Sequence, residues 1–219
     1  MWRYIKDHLE TVLIAIILAF GVRQFILTVY KMPSPTMYPA VEPGDFLFTY
    51  KIPYGLEVPF LDRKIGRNKK PSRGEVVVVR SPDSKDSLFL KRIIAVEGDR
   101  VELRDGAVIL NSESIDGGAD RGSLFGPIRS EVPQEHGGYS VVMPKGSSLD
   151  NLEEMIVPKG HVFILSDNRT IYEDSRDWGP IPLDWISGRA TIVWFSLDWE
   201  RKQFGLPAVR WERLFKPIH

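Results

Sequence analysis

"SLFLKRIIAVEGDRVELRDGAVILN", Ser87 to Asn111, decides the fold. It reads strand, Gly-Asp turn, strand, Asp-Gly turn, strand: apolar, β-branched runs broken by residues suited to tight turns. Upstream, "EVVVVRS" (Glu75–Ser81) is a strand apolar enough to be buried on both faces. Downstream, "GHVFILSDNR" (Gly160–Arg169) is a strand ending in a polar turn. "GRATIVWFSLD" (Gly188–Asp198) is another, with an aromatic close at Trp194 and Phe195. Many short strands with Gly and Pro punctuation, and almost no helical pattern past residue 31, predict a mainly β fold. From about Asn111 to Asp150 the chain is rich in Gly and Ser with little periodicity. That stretch predicts a smaller, looser inserted β domain, bounded at about 105–158.

Ahead of the strands lies "LETVLIAIILAFGVRQFILTVY", Leu9 to Tyr30. As one helix it would reach about 33 Å at about 1.5 Å per residue. A bilayer's hydrocarbon core is about 30 Å thick. The apolar residues run all round the helix, with no polar stripe to mark a core helix. Arg23 sits toward the C-terminal end, where its side chain can snorkel to the interface. No small-x-small cleavage site follows Val22, so the run predicts an uncleaved transmembrane anchor rather than a removable leader. Arg3, Lys6 and the terminal amine precede it and only Lys31 follows closely. That bias predicts residues 1–8 in the cytoplasm, 9–30 in the membrane and 31–219 on the far side.

Composition narrows the function. The 219 residues carry 29 basic and 29 acidic side chains. No overall basic field points to nucleic acid as a partner. With no cysteine, disulfides and thiolate metal sites are excluded. The four histidines, His8, His136, His161 and His219, show no zinc-site spacing. Neither a metal nor another cofactor is expected.

Three clusters carry chemistry. The first is "KMPSPTMYPAVEPGDF", Lys31 to Phe46, where prolines close in on Ser34 and Thr36. Such residues are ordinary turn formers. Their position directly after the apolar run also suits a hydroxyl fixed at a set height above a membrane. The second cluster is Lys91-Arg92 inside an apolar strand. Alternation puts Phe89, Lys91 and Ile93 on one face. A lysine there loses proton affinity through desolvation, and a neutral amine can serve as a base toward a hydroxyl. The same window suits an edge-strand lysine reaching for water. The third cluster is "SDNRTIYEDSRDWGP", Ser166 to Pro180, in which Asp174 and Arg176 are spaced to brace each other.

The order of these features is an apolar anchor, PSx[ST]MxP, GD, KR-x5-GD, an insertion, GHxFxxxDNR, DSRxWG and GRA. In that order the chain resembles the bacterial type I signal peptidases, the leader peptidases of the Ser–Lys protease class, over nearly its whole length. The resemblance implies a β-rich catalytic core with a small inserted β domain, behind a transmembrane anchor in the bacterial inner membrane. The implied activity is removal of signal peptides from exported proteins after small residues, with those peptides and membrane lipid as partners. By position the nucleophile falls on Thr36, the general base on Lys91 and the oxyanion-binding hydroxyl on Ser34. Met32, Met37, Val41 and Leu90 are candidate walls of shallow substrate pockets. Asp174 and Arg176 match the supporting acid and base.

The departures from the family pattern are specific. Thr36 stands where the family has Ser, adding a methyl that restricts χ1. A hydroxyl that commonly contacts the lysine falls on Tyr172, and a small residue before DNR, usually Gly, is Ser166. Three readings follow: an active peptidase using Thr36, a catalytically impaired relative that binds signal peptides, and a membrane-anchored β scaffold.

Overall fold

The computed structural model describes residues 2–25, 27–57, 64–66, 70–82, 87–123, 125–132, 137–143, 146, 148–203 and 205–218. Its largest sheet has nine strands. Across it the order is Leu27–Lys31, Asp45–Tyr50, Ile186–Gln203, Val76–Arg80, Leu88–Val96, His161–Leu165 and Ile181–Pro182. Leu206–Val209 and Lys216–Pro217 also pair with the long strand Ile186–Gln203. All of its pairings are antiparallel.

The Val-rich strand Val76–Arg80 is central, as its unbroken apolar run requires. It faces Leu88–Val96 in a register that sets Val77 opposite Lys91. The other edge of Leu88–Val96 pairs with His161–Leu165, with Arg92 opposite Leu165. The lysine strand is therefore interior to the sheet, and the edge-strand reading of Lys91 fails on topology.

Between those paired strands the chain builds two small sheets. One orders Leu152–Ile156, Arg100–Arg104, Ala107–Leu110 and Glu113–Ser114. The other orders Asp116–Gly122, Pro127–Glu131 and Tyr139–Val142. The first turns at Asp105-Gly106, both with positive φ (49° and 81°), between the paired residues Arg104 and Ala107. Such a two-residue connection matches the twist of the flanking strands. These sheets share a core with the large one. Val101, Leu103, Val108, Leu110, Tyr139 and Val141 bury against Ile94, Ala95, Phe163 and Leu165.

The N-terminal helix differs from expectation in extent. It runs Trp2–Phe25, and Leu27–Lys31 forms a strand paired with Asp45–Tyr50. The apolar run thus does not continue as one helix to Tyr30. Thr28, Val29 and Tyr30 favour extended backbone, and an open sheet edge supplies partners for their N–H and C=O groups. Among the described residues no helix is long and apolar enough to cross a membrane. Leu9, Val12, Leu13, Ile14, Ile16, Ile17 and Leu18 are all exposed on the helix surface.

Candidate active site

The hydroxyl cluster is held at both ends. Met32 donates its N–H to the Asp45 carbonyl and Gly44 returns one to Met32, both at 2.8 Å. Between these bonds Pro35–Met37 forms a single 3-10 turn, entered from an extended Ser34. Proline at its start suits the fixed φ of a helical turn. The turn packs against the strand Leu88–Val96. Ser34 Oγ and Thr36 Oγ1 share a hydrogen bond at 3.3 Å, with Thr36 buried and Ser34 partly exposed.

Lys91 is wholly buried. Its Nζ donates to Ser166 Oγ at 2.9 Å. The Phe89 and Trp178 rings lie 5.4 and 5.7 Å from the amine, measured to their centroids. Burial is the main force on its proton and pushes the pKa down to about 8. Asp174, Glu173 and Asp167 oppose that shift, and Arg176 adds to it. Roughly a tenth to a fifth of the amine is then neutral near physiological pH, far more than for an ordinary lysine.

The polar turn carries the supports. Ser166 donates its N–H to Asp174 Oδ2 at 2.9 Å. Asp174 also receives Arg176 Nη2 at 2.7 Å and Nε at 2.9 Å. Burial alone would raise the Asp174 pKa, but these donors and Lys91 outweigh it and hold the carboxyl below its usual range. Asp174 and Arg176 therefore brace each other, and Asp174 reaches the lysine site through Ser166. Arg176 also donates to the Arg169 and Ile171 carbonyls, at 2.7 Å each. Arg92, next to the lysine, forms a two-pronged pair with Asp167: Nε to Oδ1 at 2.7 Å and Nη2 to Oδ2 at 2.6 Å.

One residue joins the turn to the hydroxyl cluster. Asn168 donates its N–H to the Thr36 carbonyl at 3.0 Å and its Nδ2 to the Pro35 carbonyl at 3.2 Å. Sequence reasoning did not single out Asn168 for this. Its only signal was membership of the DNR motif.

Other assigned residues lie as follows. Met32, Met37, Val41 and Leu90 join one apolar cluster with Leu47, Val76, Val78 and Val193. Met37 and Val41 have no accessible surface, whereas Met32 and Leu90 keep a sliver of 6% and 5%. Tyr172 points elsewhere than the lysine: its hydroxyl donates to Asp150 Oδ1 at 2.9 Å. Its ring covers the Arg176 guanidinium at 4.3 Å. The hydroxyl on Lys91 belongs to Ser166 instead. Among the described residues no hydrogen bond joins Lys91 directly to Thr36.

The polar turn thus bonds a buried amine of lowered basicity through Ser166 and, through Asn168, the backbone that carries the two hydroxyls. Hydroxyls and a neutral amine are group types that can serve as nucleophile and base. Residues 5–195 match the family described as signal peptidase, peptidase S26. A signal peptidase I of Pseudomonas fluorescens is 30% identical over 216 residues, covering 88% of this chain and 72% of the relative. A probable signal peptidase I-1 of Synechocystis is 27% identical, covering 97% and 88%. A solved signal peptidase I from Enterococcus faecalis is 24% identical and covers 55% of this chain and 97% of its own, with a TM-score of 0.36. At that score the assignment rests on the sequence matches. On those matches, the chain belongs to the signal peptidase family, peptidase S26.

Proposed function

We propose that this chain is a membrane-anchored endopeptidase that removes N-terminal signal peptides from exported proteins after small residues. The observation that carries the reading is the burial of Lys91 beside the turn that bonds to the Thr36 carbonyl. Neutral Lys91 takes the proton from Thr36 Oγ1, and the oxygen attacks the scissile carbonyl. With Ser34 as donor in their shared hydrogen bond, Thr36 keeps its own proton available to the amine. In the tetrahedral state the Ser34 hydroxyl and the Thr36 N–H stabilise the oxyanion. The Lys91 ammonium then gives its proton to the leaving amine. Lys91 next activates a water that hydrolyses the acyl ester on Thr36.

The substrate joins as an extended strand, with Met32 and Leu90 as its nearest apolar contacts and Met37 and Val41 as the layer beneath. The exposed apolar side chains from Leu9 to Leu18 support anchoring in lipid. The proposed setting is a bacterial inner membrane, with the β domain extracytoplasmic. A second reading, a signal-peptide-binding relative with impaired cleavage, is favoured by the methyl that Thr36 adds at a buried position.

Cleavage of a signal-peptide substrate should be compared across the native chain, Thr36→Ser, Thr36→Ala and Ser34→Ala. Serine should raise the rate, alanine at 36 should end it, and alanine at 34 should leave a remnant. Loss of about 3–4 kcal/mol of alignment to the methyl would slow the native chain by roughly a hundred- to a thousandfold relative to Thr36→Ser. A native rate from Thr36→Ala beside a dead Ser34→Ala would transfer the nucleophile role to Ser34. Binding without cleavage in all four proteins would favour the second reading.

A further inference from the structure

Ser166 is committed on every side. Its N–H is fixed by Asp174 Oδ2 at 2.9 Å, and its carbonyl receives Arg169 Nε at 2.8 Å. Its side chain has no exposed surface, and its Oγ faces Lys91 Nζ at 2.9 Å. The two flanking bonds fix the backbone, so the direction of the hydroxyl is set by the turn and not by solvent. Tyr172, at the position matching the family's usual lysine-contacting hydroxyl, is engaged with Asp150 and Arg176.

We propose that Ser166 is the positioning residue for the base of this enzyme: its hydroxyl holds Lys91 Nζ in the orientation that presents the amine lone pair to Thr36. The inference rests on the peptidase reading above. A neutral amine has two N–H bonds and one lone pair. An acceptor fixed on one N–H removes most of the rotation about the Cε–Nζ bond. The lone pair is then confined to directions away from Ser166, and the Pro35–Met37 turn that carries Thr36 packs on the same strand. The aromatic pair Phe89 and Trp178, in edge-to-face contact at 5.5 Å, limits the remaining directions. Two departures from the family pattern thereby compensate each other. The hydroxyl at position 172 is committed to Asp150, and another stands against the lysine at position 166, on the other arm of the same turn.

The test uses the full chain and two near-isosteric variants, Ser166→Ala and Ser166→Cys. Alanine leaves a small void and no acceptor; cysteine fills the volume but accepts hydrogen bonds weakly. Both should lower kcat on a signal-peptide substrate by about tenfold to a hundredfold, with KM within about twofold, because Ser166 does not reach substrate. A second readout does not need cleavage. The Lys91 Nζ titration, followed by NMR, should move to lower pH by about half a unit to one unit in Ser166→Ala. An acceptor stabilises the ammonium more than the amine, so its loss favours the neutral form. The charges around the amine, Asp167, Glu173, Asp174 and Arg176, are unchanged by either substitution.

A Lys91 midpoint unmoved in Ser166→Ala overturns the proposal, whatever the cleavage rates. Native kcat in Ser166→Cys overturns it too, since the alanine defect would then be one of packing. If the midpoint moves as expected but neither the native chain nor Thr36→Ser cleaves any signal peptide, Ser166 still holds the lysine and it is the peptidase reading that fails.

Discussion

Asn168 is bonded to the turn that carries Thr36: its N–H meets the Thr36 carbonyl at 3.0 Å and its Nδ2 meets the Pro35 carbonyl at 3.2 Å. The same residue accepts from the Thr170 hydroxyl at 2.6 Å through Oδ1. It therefore fixes the distance between the loop that supports Lys91 and the loop that supports the hydroxyls. Nothing in this arrangement requires Asn168 to touch substrate.

Its replacement separates position from chemistry. Asn168→Ala loses the Pro35 bond and both bonds that Oδ1 accepts from Thr170, at a stability cost of about 1 kcal/mol for each. Asn168→Asp keeps the acceptor for Thr170 but turns a carboxylate oxygen toward the Pro35 carbonyl, which repels it. The expected order of kcat is native, then alanine about tenfold lower, then aspartate lower still, because small misplacements of reacting groups are expensive. Thermal unfolding alongside steady-state kinetics checks this. Equal rates for the alanine and aspartate variants would remove Asn168 from the positioning role.

Gly44 is required on two separate grounds. Its φ is +93°, and a Cβ built there would lie 2.0 Å from the Leu197 carbonyl oxygen. That oxygen belongs to the backbone of the long strand, so it cannot swing away as a side chain can. Gly98 has a similar φ of +89° but open space around it. Gly98→Ala should cost about 1–2 kcal/mol, the backbone strain alone. Gly44→Ala should cost about 3 kcal/mol or more. Urea unfolding of both variants gives the difference, and equal costs would show that the sheet yields at Leu197.

The strands were legible because their apolar runs and turn residues act locally. The burial of Lys91 was legible only in part: Phe89 and Ile93 on its face suit a desolvated amine, but the same window suits an edge-strand lysine, and pairing on both sides of the strand decides between them. Three features were not legible. The strand Leu27–Lys31 reads as more of the preceding apolar helix, since only the edge offered by Asp45–Tyr50 makes it extended. The Lys91–Ser166 contact joins residues 75 apart, and the Asn168–Pro35 contact joins residues 133 apart. Neither has a local signature. Tyr172 falls on the family's hydroxyl position by motif order, yet its hydroxyl is bonded to Asp150.

Lys91 gives the sharpest pH prediction. Unfolded, its amine binds a proton near 10.5; folded, it does so only near 8. Between those values the unfolded chain carries more protons, so stability rises as pH rises through that window. Below pH 8 the protein bears the full penalty, on the order of 3 kcal/mol. Lys91→Met keeps a long apolar stem and removes the titration. It also leaves Ser166 without its partner, but that loss is the same at every pH. The stability of Lys91→Met relative to the native chain should therefore be greatest at pH 7 and decline toward pH 10. Urea unfolding at pH 7, 8, 9 and 10 measures it. On the native chain, kcat/KM for a signal peptide should rise with pH and level off above about 8, as the amine becomes neutral. A stability difference that stays flat across the window means the folded amine titrates as an ordinary lysine. In that case it could not take the proton from Thr36 at physiological pH, and the hydroxyl–lysine mechanism would have to be abandoned.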